Sequence, residues 1–194
     1  FRKGFRVFAD HGYDTVFIRG GASGIDLGEL RQSEANMLYI SPSHSFPSGA
    51  SLTHQKRVQL LRWAQQNSAV IFEDDYDGEL RYTGKPLATL SALDSGGNVI
   101  YLGAFSKLLP PSIRISYMIL PPRLLERYRK NLGFYSCTVS GFEQYTLAKF
   151  LEQGHFERHL GRMRNRYRQK RDQVMGEFLH GPLAGRVKIT GQDA

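Results

Sequence analysis

The sequence predicts an α/β fold in which a mostly parallel sheet forms the middle of three layers. Short apolar runs rich in Val, Ile, Phe, Tyr and Leu alternate along the chain with amphipathic stretches of helical period. The apolar runs are separated by helix-length crossovers, which imply parallel pairing and a sheet covered on both faces. With 194 residues, 41% of them hydrophobic, the chain is large enough to bury such a core.

The individual elements are predicted from the period of the apolar residues and from the capping and turn residues that bound them. Strands are expected at residues 14–19, 37–41, 69–75, 98–104 and 115–121, and helices at 2–11, 26–33, 53–67, 123–131, 141–153 and 156–178. Asp26 and Thr53 are suited to cap helix N-termini, and Gly12 and Gly154 follow helices as stop residues. The longest apolar run, at 115–122, indicates a buried strand.

The last third of the chain predicts a change of domain. After Phe134 two helices, the second long and basic, lead to a strand at 186–190 that would open a new sheet. We therefore expect a large domain at 1–154. Residues 155–194 would then form a connecting helix and the beginning of a smaller C-terminal domain.

Composition excludes several classes of protein. The single cysteine, Cys137, rules out an internal disulfide and is typical of a reducing, cytoplasmic compartment. No apolar run is long enough to span a bilayer, and the first residues lack the apolar core of a signal peptide. The histidines are scattered without metal-ligand spacing, so no metal site is expected.

The net charge of +8 raises the question of nucleic-acid binding. Much of this charge lies in the predicted helix that begins near His155, where basic residues crowd between 158 and 171. Apolar residues run through the same stretch at helical spacing, so an amphipathic helix with a solvated basic face explains the pattern. Direct contact with nucleic acid by this helix is the less favoured alternative.

Carboxylates cluster directly after the apolar run at 69–72, in the segment Glu73-Asp74-Asp75-Tyr76-Asp77. Negative charges at a strand terminus are costly unless a cation or a hydrogen-bond donor meets them. Taken alone, the segment is more typical of a solvated acidic loop. A metal site is the other alternative, although hard cations need oxygen ligands from several segments.

A second polar loop follows the apolar run at 98–104. It contains Ser106 and Lys107, and Arg114 follows seven residues after the lysine. A lysine at a strand end is usually a surface charge, and the glycines of a P-loop are absent before this one. The spacing is compatible with Lys107 at one end of a bound anionic ligand, with Ser106 and Arg114 at its phosphate. A third loop, at 41–49, is turn-rich and belongs at the same edge of the sheet.

These loops, in this order and at these separations, resemble the fold-type-I aminotransferase domain, and more closely that domain in MocR/GabR-type transcriptional regulators of the GntR family. The segments are SPSHSFPSG at 41–49, EDDYDGELRY at 73–82 and VIYLGAFSKLLPPSIRISYMILP at 99–121. EDDYD followed by the FSK lysine and a later arginine is specific, whereas SHxFPSG alone is weak. The resemblance covers nearly the whole chain. It implies the large domain of a pyridoxal 5'-phosphate (PLP)-dependent transferase, similar to aspartate aminotransferase.

The resemblance also implies roles for individual residues. Lys107 would form the internal aldimine with PLP, exchange it for an external aldimine with an amine or amino acid, and carry protons once released. Asp74 would pair with the protonated ring nitrogen and keep the ring electron-withdrawing. Tyr76 would contact the phenolic oxygen of the cofactor.

The remaining expected contacts hold the cofactor in place. Arg114 would bind its phosphate with the help of Ser106, and His44 and Ser45 lie where the family's loop approaches the ring. A homodimer is expected. The family's glycine-rich phosphate loop and its N-terminal winged-helix DNA-binding domain are expected upstream of Phe1. The arginine that grips a substrate carboxylate is expected beyond Ala194.

Two functions share these residues. The favoured one is the effector-sensing domain of a MocR/GabR-type regulator, because SPSHSFPSG and EDDYDGELRY match that branch. The alternative is a genuine class I/II aminotransferase that turns over amino and keto acids. A third hypothesis, a nucleotide-binding α/β domain without PLP, predicts no covalent cofactor at Lys107.

Overall fold

A computed structural model of the chain describes residues 2–80, 87–110, 112–182 and 184–186. The predicted strand at 186–190 and the beginning of a small domain therefore lie almost wholly outside the described residues. In chain order the elements are α1 (Arg2–Asp10), β1 (Gly20–Gly21), β2 (Gly24–Ile25), α2 (Leu27–Gln32), β3 (Met37–Ile40), α3 (His54–Gln66), β4 (Val70–Asp74), α4 (Leu90–Leu93), β5 (Val99–Ala104), β6 (Ser116–Ile119), α5 (Pro122–Leu132), α6 (Gly141–Glu152) and α7 (His155–His180). Two short 3-10 helices, Gly78–Leu80 and Phe105–Lys107, follow β4 and β5.

The main sheet has the strand order β3-β4-β5-β6. β3, β4 and β5 are parallel, with Tyr39 opposite Phe72 and Asp74 opposite Leu102. β6 runs antiparallel to β5, with Ser116 opposite Ala104. The predicted α/β architecture with a mostly parallel sheet is therefore confirmed.

One face of this sheet forms the core with α2, α3 and α4. Ile71 of β4 and Val99 of β5 are buried against Leu60 and Trp63 of α3 and Leu90 of α4. Apolar surface removed from water contributes about 25 cal/mol per Å², so these buried side chains favour folding. The opposite face is contacted by α1, whose Phe8 ring packs edge-on against Phe72 at 5.8 Å between centroids.

The helix boundaries agree with the sequence signals. The Asp26 carboxylate accepts hydrogen bonds from the backbone N–H groups of Gly28 and Glu29, and the Thr53 hydroxyl accepts from Lys56. Gly154 separates α6 from α7 with a φ of +66°, a left-handed conformation in which a side chain would be strained. Among the described residues, no helix combines the length and the apolar character that crossing a membrane requires.

Two strand predictions differ from the structure. Residues 14–19 form no strand. The Asp26 N–H bonds to the Arg19 carbonyl, but the paired strand begins only at Gly20, and Val16 and Phe17 are exposed. The run at 115–122 contains a strand, but Met118 and Ile119 of β6 are about half exposed rather than buried. β6 is the outer strand of the described sheet and has a neighbour on one side, so its apolar residues are not enclosed.

Candidate functional site

The ends of three strands bring the predicted site residues to one edge of the sheet. β3, β4 and β5 are parallel, so the loops that follow Ile40, Asp74 and Ala104 leave from the same side, called here the carboxyl edge. Because β6 is antiparallel, the residues just before Ser116 lie at this edge too. All the predicted site residues are gathered there: His44, Ser45, Asp74, Tyr76, Ser106, Lys107 and Arg114.

Asp74 is the last residue of β4, and its carboxylate is held from the neighbouring strand. The hydroxyl of Tyr39 on β3 donates a hydrogen bond to Asp74 Oδ2. The next carboxylate points to the other side of the sheet, because side chains alternate along a strand. There Asp75 is almost completely buried and accepts a hydrogen bond of 2.9 Å from the Tyr101 hydroxyl. The adjacent aspartates therefore lie in different environments.

The loop after β3 is tied to the loop after β4. The Tyr76 hydroxyl donates to the backbone carbonyl of His44 at 3.1 Å, and His44 Nδ1 lies 2.8 Å from Asp77 Oδ2. Burial and the carboxylates of Asp77 and Asp74 raise the pKa of Tyr76 to about 12, so its hydroxyl remains a donor at neutral pH. Ser45 is fixed through its backbone N–H, which donates to the Ala50 carbonyl at 2.9 Å.

The contact between His44 and Asp77 predicts a pH-dependent stability. The hydrogen bond to Asp77 and its charge raise the pKa of His44 above the ordinary 6.5, against the opposing influence of partial burial. Since the folded-state pKa is the higher one, the stabilisation is fully present below about pH 6.5 and is lost as the pH rises through the raised value. Urea unfolding of the wild type and Asp77→Asn should differ most near pH 5.5 and least near pH 9, values chosen to bracket that range. A difference that stays constant across this range would contradict the ionic role of the pair.

The basic groups lie in the segment between β5 and β6. Lys107 ends the 3-10 helix after β5 and is exposed, and no described residue forms a hydrogen bond or ion pair with its Nζ. The Nη1 of Arg114 lies 3.5 Å from the hydroxyl of Ser106, at the limit of a hydrogen bond. This places an amine without a partner among the described residues beside a guanidinium–hydroxyl pair.

Helix α7 touches two of the loops at the carboxyl edge. The ring of Phe156 packs edge-on against Phe105 at 5.8 Å, and His159 Nε2 lies 2.6 Å from the carbonyl of Leu108, next to Lys107. Further along the helix, Arg164 donates to the carbonyl of Glu79 at 2.6 Å. At 26 residues, or about 39 Å, α7 therefore links the Lys107 turn with the segment after β4.

A buried charge network lies behind the site. The side chains of Arg57 on α3 and Glu73 on β4 are both 0% exposed, with Arg57 Nη1 3.7 Å from Glu73 Oε1. Arg57 also donates to the backbone carbonyls of Pro42, Leu52 and Ala88 at 3.1–3.2 Å. The Glu73 carboxylate accepts from the backbone N–H groups that begin α4. The network thus joins both ends of the loop after β3 to the base of the acidic segment.

Sequence reasoning did not single out Tyr39, Asp77, Arg57 or Tyr101. Asp77 could have been found, since it lies within the acidic segment at 73–77. Arg57 occupies a helix position whose burial cannot be read from a basic residue type. The tyrosines are strand residues that become polar partners of Asp74 and Asp75 only through the register between strands.

The chemistry of this donor set fits a pyridine cofactor that carries an aldehyde and a phosphate. A carboxylate suits a protonated ring nitrogen, an exposed amine suits an aldehyde, and a guanidinium with a hydroxyl suits a phosphate dianion. A metal ion fits less well, because no group of three or more His, Cys, Asp or Glu residues within the described ranges converges on one point.

Comparison with known proteins gives consistent matches. The chain matches the family Aminotransferase class I and II over residues 24–189. It is 42% identical over 189 residues to the helix-turn-helix (HTH)-type transcriptional regulator YdeL of Bacillus subtilis, which covers 97% of this chain and 41% of that protein. It is 34% identical over 174 residues to the probable rhizopine catabolism regulatory protein MocR of Rhizobium meliloti, covering 88% of this chain and 34% of that protein.

Among solved structures, the fold is similar to LysN, an α-aminoadipate aminotransferase of Thermus thermophilus solved in complex with N-(5'-phosphopyridoxyl)-L-leucine. The TM-score is 0.81 at 26% identity, over 92% of this chain and 47% of that chain. The chain therefore spans less than half the length of each of these proteins.

Proposed function

Because this chain belongs to the aminotransferase class I and II family, we propose that it is the PLP-binding, effector-sensing domain of a MocR/GabR-type transcriptional regulator. The observation that carries the proposal is the location of Lys107, Asp74, Ser106 and Arg114 at the same edge of the sheet. The regulatory role is supported by the identity to YdeL and MocR, which exceeds the identity to the enzyme LysN.

Each polar group at the carboxyl edge has a role in this proposal. Lys107 Nζ would hold PLP covalently, and when free it would accept or return a proton beside the bound ligand. The Asp74 carboxylate keeps the ring nitrogen protonated. Bound PLP supplies an electron sink for negative charge beside the substrate nitrogen. The Tyr76 hydroxyl stays protonated at neutral pH, and with PLP bound it would donate to the cofactor's phenolic oxygen in place of the His44 carbonyl.

The other groups fix the position of the cofactor. Arg114 and Ser106 bind the phosphate, for which a planar guanidinium offers more than one donor. His44 and Ser45 lie in the loop that approaches the ring, and the contact of His44 with Asp77 keeps that loop in place. The cofactor is thereby held at both ends, so an amine or amino acid meets it in a fixed orientation.

Sensing also requires a path from the cofactor to the rest of the protein. Helix α7 contacts the turn that bears Lys107 and the segment after β4, so a change at either loop displaces a long helix. We propose that the full-length protein is a cytoplasmic homodimer. It would contact DNA through an N-terminal winged-helix domain outside these 194 residues, as the name of YdeL as an HTH-type regulator suggests.

The second candidate function is a genuine aminotransferase. It is supported by the similarity to LysN and by the presence of the lysine, aspartate and arginine that turnover requires. Both candidates need the same residues at the carboxyl edge, so the distinction lies in whether the full-length protein converts its ligand or responds to it.

The deciding experiment uses the full-length protein that contains this chain. Its affinity for promoter DNA is measured by fluorescence anisotropy with PLP, with and without a panel of amino acids and amines, and keto-acid formation is assayed on the same panel. We expect at least one amine to change DNA affinity several-fold without sustained turnover, in the range of known allosteric coupling. Sustained turnover without any change in DNA affinity would favour the aminotransferase. A protein that does not take up PLP would contradict both.

A further inference from the structure

Tyr39 occupies a special position relative to Asp74. It lies on β3 opposite Phe72 of β4, so its side chain projects from the same face of the sheet as Phe72 and Asp74. From there its hydroxyl reaches across and along the neighbouring strand to donate to Asp74 Oδ2. The contact therefore joins two strands at the carboxyl edge through their side chains, beyond the backbone ladder.

The backbone of Asp74 is already fixed on its other side. The ladder pairs Asp74 with Leu102 of β5, and the following residue, Asp75, donates its N–H to the Leu102 carbonyl at 3.0 Å. The side chain is different, because rotation about the bond to its carboxyl group is soft. The hydrogen bond from the Tyr39 hydroxyl to Oδ2 opposes this rotation and leaves Oδ1 available to another donor.

The charge state of Tyr39 suits this role. Burial and the Asp74 carboxylate raise the pKa of Tyr39 well above its ordinary value, so the phenol remains a donor throughout the neutral range. A neutral donor steadies a carboxylate without cancelling its charge, whereas an arginine in the same place would compete with a protonated ring for the carboxylate.

We propose that Tyr39 is a positioning residue that orients the Asp74 carboxylate toward the cofactor's ring nitrogen. The inference rests on the proposed function, in which Asp74 pairs with PLP. Tyr39 would not touch the cofactor and would affect PLP binding only by holding Asp74. A carboxylate held by a second hydrogen bond keeps its own partner in a narrower range of geometry than a carboxylate that is free to rotate.

The test is a double-mutant cycle in the full-length protein, with Tyr39→Phe, Asp74→Asn and the double variant. The PLP dissociation constant is measured by equilibrium dialysis. Tyr39→Phe should weaken PLP binding about tenfold, the size of one hydrogen bond to a charged group, yet change it less than about twofold when Asp74 is already asparagine. A loss of equal size in both backgrounds, or no loss in either, would overturn the proposal.

Tyr101→Phe is the matched control, because it removes the same hydroxyl from the next aspartate on the opposite face of the sheet. It should leave PLP affinity within about twofold of the wild type. A tenfold loss in this control would mean that any tyrosine at the carboxyl edge matters, which would also overturn a specific role for Tyr39.

A measurement without cofactor separates this inference from the proposed function. With tyrosine labelled by ¹³C at Cζ, the Tyr39 resonance is identified by its loss in Tyr39→Phe and followed as the pH is raised. Ionisation of Tyr39 should begin at a lower pH in Asp74→Asn than in the wild type, since the neighbouring negative charge is gone. If the wild type fails to bind PLP, the proposed function fails while this titration still decides whether Tyr39 holds Asp74. An unchanged titration would count against the contact itself.

Discussion

Replacing Lys107 with alanine is expected to abolish covalent attachment of PLP. In the wild-type full-length protein, borohydride reduction should fix roughly one cofactor per chain, and peptide mass spectrometry should locate it on Lys107. The structure gives the reason, since Lys107 is exposed at the carboxyl edge beside the Ser106–Arg114 pair and no described residue bonds to its Nζ. In Lys107→Ala the fixed cofactor should fall to background, together with the visible colour of the reconstituted protein.

Lys130→Ala is the control for this experiment. Lys130 is an exposed lysine on α5, away from the loops of the carboxyl edge, so its loss should leave the fixed cofactor unchanged. Cofactor that remains covalently fixed in Lys107→Ala would contradict the assignment of Lys107 as the residue that binds PLP. The nucleotide-binding hypothesis without PLP would be favoured if the wild type itself fixed none.

Replacing Arg57 with alanine is expected to lower the free energy of unfolding more than any of the other substitutions proposed. The change leaves the carboxylate of Glu73 fully buried without its cation, and removes a donor from the carbonyls of Leu52 and Ala88. Breaking a buried ion pair by removing one partner costs about 3–5 kcal/mol. The N–H groups of Leu90 and Ser91 still meet Glu73, which favours the lower end of that range. Urea unfolding measures the change in the free energy of unfolding.

Arg62→Ala supplies a matched control on the same helix. Arg62 is exposed, so its loss should change the free energy of unfolding by about 0.5 kcal/mol or less.

The pH dependence of stability should also differ between the two variants. Burial already raises the pKa of Glu73, and loss of Arg57 should raise it further, so Arg57→Ala should lose more stability as the pH rises above the ordinary 4.5 of a glutamate. Equal unfolding curves for Arg57→Ala and Arg62→Ala would contradict the role of the network.

Loss of Arg57 should reach the cofactor site as well. Arg57 donates to the carbonyls of Pro42 and Leu52, at the two ends of the loop that carries His44 and Ser45. A folded Arg57→Ala protein is therefore expected to bind PLP several-fold more weakly, because this loop would be less well fixed. Equilibrium dialysis at a temperature below the unfolding transition checks this expectation, and unchanged affinity would confine Arg57 to a role in stability.

Much of the fold was predictable because its signals are local. Apolar runs marked β3, β4 and β5, and the caps at Asp26 and Thr53 marked the starts of α2 and α3. The prediction at 14–19 was wrong because an apolar run becomes a strand only when another segment meets its hydrogen-bonding groups. The antiparallel direction of β6 was missed for a similar reason, since direction depends on a connection that the run itself does not encode.

The sequence by itself determined that Asp74, Lys107 and Arg114 lie at the boundaries of apolar runs, which is visible one segment at a time. Their suitability for PLP came from the resemblance of these segments to the aminotransferase domain. Only the tertiary structure decided that Tyr39 donates to Asp74 while Tyr101 donates to Asp75, and that Arg57 and Glu73 are buried together. Those contacts depend on the register between strands and on burial, which join residues far apart in the chain, and no local pattern fixes either of them.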